Sequence, residues 1–75
     1  MSVGRIVALG SALSVDGFAL AGAEPVHAEF DDEVRRCWET LPDDTALVIL
    51  TPAADAALGS RRRSRPHVLT VVMPA

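Results

Sequence analysis

The hydrophobic pattern divides the chain into short segments whose spacing switches between that of strands and that of helices. Apolar, β-branched runs predict four strands, at Val3–Leu9, Pro25–Glu29, Ala46–Leu50 and His67–Met73. Apolar residues three or four positions apart predict three helices between them, at 13–20, 31–41 and 53–58. The pattern therefore predicts a strand followed by a helix three times, and then a final strand.

This alternation of strands and helices favours a parallel sheet, because parallel neighbours need a crossover connection and a helix supplies it. Right-handed crossovers with a single reversal of direction give the strand order 2-1-3-4. We therefore predict one small α/β domain over residues 1–75, a flavodoxin/receiver-like three-layer sandwich around a four-stranded parallel sheet. Its first helix lies on one face, and the other two helices lie on the opposite face.

The face that carries only the first helix is predicted to be about half uncovered. A four-stranded sheet is ~15–19 Å wide and a helix with its side chains is ~10 Å across, so each face needs two helices. Side chains alternate along a strand, and either alternating set of the third and fourth strands is mainly apolar. Because a stable monomer rarely exposes a large apolar patch, we expect another chain to supply the missing cover. The alternative is a twisted sheet whose termini fold back over the patch.

A basic run after the third helix is the second candidate for contact with a partner. Its arginines could bind an acidic protein surface, or they could be a solvated helix end whose charges complement the negative pole of the helix dipole. The candidate partner-binding residues from the sheet face and this run are Leu47, Val48, Ile49, Val71, Val72, Arg61, Arg62 and Arg63.

Composition narrows the remaining function classes. The net charge of −3 argues against general affinity for nucleic acid, and the single cysteine excludes an internal disulfide framework and a cysteine-rich zinc site.

The longest apolar run, Ala46–Leu50, is far shorter than the ~20 residues of a spanning helix, so we expect no direct membrane insertion. Asp16 and Gly17 interrupt the N-terminal segment that superficially resembles a secretory signal, and we expect a cytoplasmic protein.

Enzymatic chemistry finds no support in the residues. The turn Gly10–Ser14 lacks the three glycines of a dinucleotide fingerprint, and the chain has no lysine for a phosphate loop. The acids and the lysine of a phosphoacceptor receiver domain are also absent, and neither His27 nor His67 has other ligands at metal-binding spacing. We predict no catalytic, cofactor or metal site; a small-ligand site at Gly10–Ser14 remains an alternative.

The first third of the chain combines an apolar strand ending in glycine, Val3–Gly10, with a glycine–phenylalanine segment on the first helix. This segment is of the type GF-x-LAG, and the residues that fit it are Gly17, Phe18, Leu20, Ala21 and Gly22. In both features the chain resembles the F subunit of V/A-type (vacuolar/archaeal-type) ATP synthases, whose members begin in this way. The later order of elements agrees with the family along nearly the whole chain.

The resemblance implies a non-catalytic rotor subunit. In that family the F subunit packs against the coiled-coil D subunit in the central stalk and helps couple ATP turnover to ion movement, peripheral to the membrane. The sequence departs from the family in having Gly10-Ser11 where many members have Gly-Asp, and in lacking the family's C-terminal helix. The alternative is a repurposed free-standing interaction or regulatory module that self-associates, as a homodimer, through its exposed sheet face.

Overall fold

Four strands form one parallel sheet in this computed structural model, which describes residues 4–74. They are β1 (Arg5–Gly10), β2 (Glu24–His27), β3 (Thr45–Leu50) and β4 (Leu69–Val72). Their spatial order is β2-β1-β3-β4, which confirms the predicted order and direction. Val3, the predicted start of the first strand, and the terminal Ala75 lie outside the described residues.

The connections contain three α-helices, two of which continue as 3₁₀ helices. They are α1 (Ala12–Val15) with a 3₁₀ helix at Asp16–Ala21, α2 (Asp31–Glu39), and α3 (Pro52–Leu58) with a 3₁₀ helix at Gly59–Ser64. The sequence predicted one continuous first helix over 13–20, which was wrong in detail. Gly17 is a poor helix former, and the 3₁₀ form is common where an α-helix is weak or ends.

The larger part of the core lies between the sheet and the two helices α2 and α3. Val7 and Leu9 of β1, with Val48 and Leu50 of β3, point into it and are at most 1% exposed. Trp38 of α2, also 1% exposed, is among the largest side chains in this cluster. The apolar stripe of α2 that the sequence predicted therefore covers one face of the sheet.

The start of α3 joins this core to the end of β3. The backbone N–H of Thr51 donates to the carbonyl of Leu9 (3.2 Å), and the Thr51 hydroxyl oxygen accepts from the N–H of Ala54 (3.1 Å). Pro52 occupies the first helical turn, where a missing N–H is tolerated. Thr51 followed by Pro52 thus forms the start of this helix.

A smaller apolar cluster lies on the opposite face, under α1 and its 3₁₀ extension. Its buried members are Ala8, Val15 and Ala23, with Phe18 partly buried against them. Since α1 has only four residues, this layer covers the sheet over β1 and β2 and leaves β3 and β4 largely uncovered. The predicted asymmetry between the two faces is present.

Candidate functional site

The uncovered part of the sheet forms a continuous apolar surface, here called the open face. Pairing between strands places Ile6 beside Leu47 and Leu47 beside Leu69, and in the next row Ile49 lies beside Val71. Alternation puts these side chains on the side of the sheet opposite Val7 and Val48, which belong to the main core. The open face consists of Ile6, Leu47, Ile49, Leu69, Val71 and Met73.

Exposure within the open face increases toward the edge strand. Leu69 is 70% exposed and Val71 is 52% exposed, although both are apolar residues of β4. Ile6 is 39% exposed, while Leu47, Ile49 and Met73 are half-buried. Several apolar side chains are thus exposed next to one another on a regular sheet. Such a patch is typical of a surface that binds another chain or another element.

Two of the sequence candidates lie on the other face. Val48 is 0% exposed and packs in the main core, so it is not available to a partner. Val72 lies beside Leu50 in the sheet and points to the same side as that buried leucine. Consecutive strand residues alternate between faces, so Val48 cannot share the open face with Leu47, nor Val72 with Val71.

Three members of the open face were absent from the sequence candidates: Ile6, Leu69 and Met73. The signal that identifies two of them is the period of two along β4, since Leu69, Val71 and Met73 are alternate residues. Ile6 could be found only once its pairing with Leu47 was known.

The arginine run lies in the layer of α2 and α3, away from the open face. Arg61, Arg62 and Arg63 belong to the 3₁₀ helix that continues α3. Arg62 Nη1 lies 2.9 Å from Asp55 Oδ1 on α3, whereas Arg61 and Arg63 form no ion pair with any described residue. The apolar and basic candidates therefore form two separate surfaces.

Contacts from α2 hold this basic segment in place. Trp38 Nε1–H donates to Ser64 Oγ (3.1 Å), and the Ser64 hydroxyl donates to the carbonyl of Arg61 (2.7 Å). The guanidinium of Arg65 donates to the carbonyls of Trp38 (3.0 Å) and Pro42 (3.2 Å). The segment is thus fixed to the core by a buried indole.

A cleft of about 300 Å³ opens at the carboxyl ends of the strands. Its walls come from the turns that follow β1, β2 and β3, and include Ser11, Phe30 and Thr51. This is the place where open α/β sheets bind ligands. The alternative of a small-ligand site at Gly10–Ser14 concerns this cleft.

The polar groups of the cleft near α1 are already paired within the chain. The N–H of Ala12 donates to Glu29 Oε1 (3.2 Å), and the Ser11 hydroxyl donates to Ser14 Oγ (3.1 Å). A carboxylate therefore occupies the position that a phosphate would take at this helix start. The arrangement does not favour an anion at Gly10–Ser14.

Charged contacts at the other end of the sheet are structural. Arg5 Nε donates to Asp44 Oδ2 (3.1 Å), and Arg5 Nη1 donates to Glu24 Oε1 (3.2 Å). The hydrogen bond and the charge of Asp44, followed by the charge of Glu24, raise the pKa of Arg5. Arg5 thus connects the start of β1 to β2 and to the turn before β3.

Residues 4–74 contain no group of three histidine, cysteine, aspartate or glutamate side chains arranged to hold a metal ion. His27 lies on the surface with its Nε2 2.5 Å from Asp16 Oδ1. None of the helices in this part of the chain combines the length and the apolar character that crossing a bilayer requires.

The fold has a counterpart among solved structures. No protein-family model and no curated protein matches the sequence. The crystal structure of the F subunit of the V-type ATP synthase of Archaeoglobus fulgidus superposes with a TM-score of 0.60 and 21% sequence identity, over 93% of this chain and 99% of that chain. The two chains share one fold. At this identity the similarity establishes the fold, in agreement with the resemblance seen in the sequence.

Proposed function

We propose that this protein is a non-catalytic rotor subunit of a rotary ATPase, which binds a coiled-coil subunit in the central stalk. The observation that carries the proposal is the open face on a fold shared with the F subunit of a V-type ATP synthase. In this role the chain couples ATP turnover to ion transport by mechanical contact and needs no cofactor. It lies in the cytoplasm, peripheral to the membrane through the complex.

The dimensions of the open face suit a helix. The two uncovered strands β3 and β4 span ~10 Å, which is the diameter of a helix with its side chains. A partner helix laid on Leu47, Ile49, Leu69 and Val71 would take the place of the second helix that this face lacks. A coiled-coil subunit offers such a helix with a long apolar or amphipathic surface.

Burial of the open face supplies part of the binding free energy. Fully burying an aliphatic side chain contributes ~1.5–3 kcal/mol. Scaled by the exposed fractions of Ile6 (39%), Leu69 (70%) and Val71 (52%), the gain is about 2–5 kcal/mol. A stable complex needs more than this, so contacts outside these three side chains must contribute.

The two arginines that lack an ion pair are proposed to form a second contact with the rotary complex. Arg61 and Arg63 have no carboxylate partner among the described residues and lie in the helical layer, behind the sheet as seen from the open face. A straight helix on the open face does not reach them. We therefore assign them to an acidic surface on another part of the rotor or stalk.

The proposal is tested by co-expressing the tagged chain with the coiled-coil rotor subunit of the rotary ATPase from the same organism. Capture of that subunit is the expected result. Leu69→Asp places a charge on the open face, and we expect it to weaken binding at least tenfold. Leu13→Asp is the matched control, because Leu13 is 97% exposed on α1 and lies outside the open face. Failure to capture the coiled-coil subunit, or equal binding by both variants, would contradict the proposal.

A further inference from the structure

The two edges of the sheet differ in how they resist pairing with another strand. The β2 edge carries Pro25, which has no N–H, and Glu24, which is bonded to Arg5. Proline and charged residues are the usual means of blocking an edge strand. The β4 edge, Leu69–Val72, carries neither a proline nor a charge. Within residues 4–74 no strand pairs with its outer side, so this edge is unblocked there.

The backbone groups on the free side of β4 can be identified. The N–H of Met73 donates to the carbonyl of Leu50 (2.8 Å), so Met73 points its polar backbone groups toward β3. Backbone groups alternate between the two sides of a strand, and Leu69 and Val71 therefore also bond toward β3. The N–H and C=O groups of Thr70 and Val72 point outward, away from the sheet.

We propose that two copies of this chain associate by antiparallel pairing of their β4 strands, about a two-fold axis that passes between the two Val71 residues. In this register Thr70 of each copy pairs with Val72 of the other, and each pair exchanges two hydrogen bonds. The outward N–H and C=O groups of both strands are then all bonded. The inference concerns the edge of the sheet and does not depend on the proposed rotor role.

The pairing ends naturally at both sides of this register. Two positions before Thr70, Val68 is the next residue whose backbone would face outward, but its N–H bonds the carbonyl of Arg65 (3.0 Å). It would oppose Pro74 of the other copy, which has no N–H to offer. The ladder is therefore limited to Thr70 and Val72 and is self-complementary.

The side chains match in the same register. On the open face Val71 meets Val71 of the other copy, and Leu69 meets Met73, so every cross-strand pair on this face is apolar. No charged residue enters the pairing. Opposed residues of an antiparallel pair point to the same side, so the two open faces adjoin on one side of a continuous sheet. The dimer extends the open face and leaves it accessible.

The contact is small. Pairing of two short strands buries less than the ~1,200 Å² that separates weak from standard interfaces. We therefore expect a reversible dimer with a dissociation constant of about 10–100 µM, a range that corresponds to weak, transient association.

Sedimentation velocity of the full chain tests the association. Protein concentrations from ~10 µM to ~1 mM cover the range of the expected dissociation constant. Thr70→Pro removes an outward N–H and leaves the open-face side chains unchanged, and we expect it to weaken dimerisation at least tenfold. Thr70→Val keeps the N–H and should dimerise like the unmodified chain. Circular dichroism shows whether each variant is folded. A chain that stays monomeric at ~1 mM, or a folded Thr70→Pro variant that dimerises normally, would overturn the proposal.

Disulfide trapping tests the register independently. In a Cys37→Ala background, Val71→Cys places two thiols across the axis, with Cα atoms ~4.5 Å apart and within the range of disulfides. Leu69→Cys is the matched control on the same face; its two copies are offset by about four residues, or ~13 Å. We expect a covalent dimer for Val71→Cys alone. Equal trapping of both variants, or of neither, would refute the register. Capture of a coiled-coil subunit is measured separately on the unmodified chain, so it does not depend on this result.

Discussion

Gly10, the last residue of β1, lies against Thr51 at the start of α3. Replacing Gly10 by alanine tests whether this short distance between the two segments requires a glycine. An ideal Cβ built on Gly10 would crowd Thr51, lying 2.6 Å from its Oγ1 and 2.9 Å from its Cβ, with Cγ2 closer still. Carbon atoms in ordinary contact are ~3.5–4.0 Å apart. Because Thr51 Cβ is itself too close, rotation of the threonine side chain makes no room, and the backbone has to move.

The expected loss of stability has two parts. Overpacking of a well-filled site costs ~1–3 kcal/mol. The φ angle of Gly10 is 157°, in a region that other residues rarely adopt, and this adds ~1–3 kcal/mol. The total of about 2–6 kcal/mol is large beside the ~4–11 kcal/mol of stability that a chain of this length possesses. Gly10→Ala should therefore lose a large part of the free energy of unfolding.

A double-mutant cycle separates the steric part from the backbone part. Thr51→Gly removes the three atoms that lie nearest to an ideal Cβ at position 10, so in that background Gly10→Ala should cost ~1–3 kcal/mol less. The φ contribution then remains. Urea unfolding followed by fluorescence of Trp38, the only tryptophan in the chain, reports each free energy of unfolding.

Gly17→Ala is the control for this cycle. Apart from the adjoining residues and the backbone of its own helix, no atom lies within 4 Å of an ideal Cβ at Gly17, and its φ angle is not positive. Because alanine forms helices better than glycine, this change should be neutral or stabilise the chain by up to ~1 kcal/mol. If Gly10→Ala unfolds at the midpoint of the unmodified chain, or costs the same with Thr51 present and with Thr51→Gly, close approach is not the reason for glycine at this position.

Two further substitutions examine the segments that carry the candidate surfaces. Trp38→Phe removes the donor to Ser64 Oγ and should cost ~1–3 kcal/mol, measured by circular dichroism. It should also accelerate tryptic cleavage after Arg61–Arg63, and an unchanged cleavage rate would show that the indole does not hold this segment. Leu69→Ser should change the free energy of unfolding by less than ~0.5 kcal/mol, because Leu69 is 70% exposed. A larger loss in urea unfolding would mean that Leu69 contributes to the core of the single chain.

The order of elements and the uneven cover of the sheet could be predicted because both follow from local spacing. The periods of strands and helices gave the alternation, and the handedness of crossovers then left one simple strand order. The shortage of helices on one face follows from counting elements against the width of the sheet. These arguments need only the spacing of apolar residues, which the chain shows clearly.

The choice between the two sides of β3 could not be made from the sequence. Ala46, Val48 and Leu50 form one apolar set, and Leu47 and Ile49 form the other, so hydrophobicity does not distinguish them. The choice depends on the pairing of β3 with β1 and on the packing of Val48 against α2 and α3. A strand with two apolar sides carries no local signal of its orientation.

The contacts that hold the arginine segment against α2 also could not be predicted from the local sequence pattern. Its fixed position depends on the bond between Trp38 and Ser64, which are 26 residues apart. The sequence predicted a third helix over 53–58 with a basic run after it, and in the structure the chain continues from Gly59 to Ser64 as a 3₁₀ helix. The 3₁₀ helix brings Arg62 beside Asp55, and this determines which arginine of the run forms an ion pair.

The two proposed contacts meet at β4 but use different groups of that strand. A partner helix would contact side chains that stand perpendicular to the sheet, above all Leu69. A second copy would bond to backbone groups of Thr70 and Val72, which lie in the plane of the sheet. Perpendicular and in-plane contacts do not exclude each other, so both can form on one molecule. Thr70→Pro should therefore abolish self-association while preserving capture of a coiled-coil subunit, whereas Leu69→Asp should weaken that capture directly.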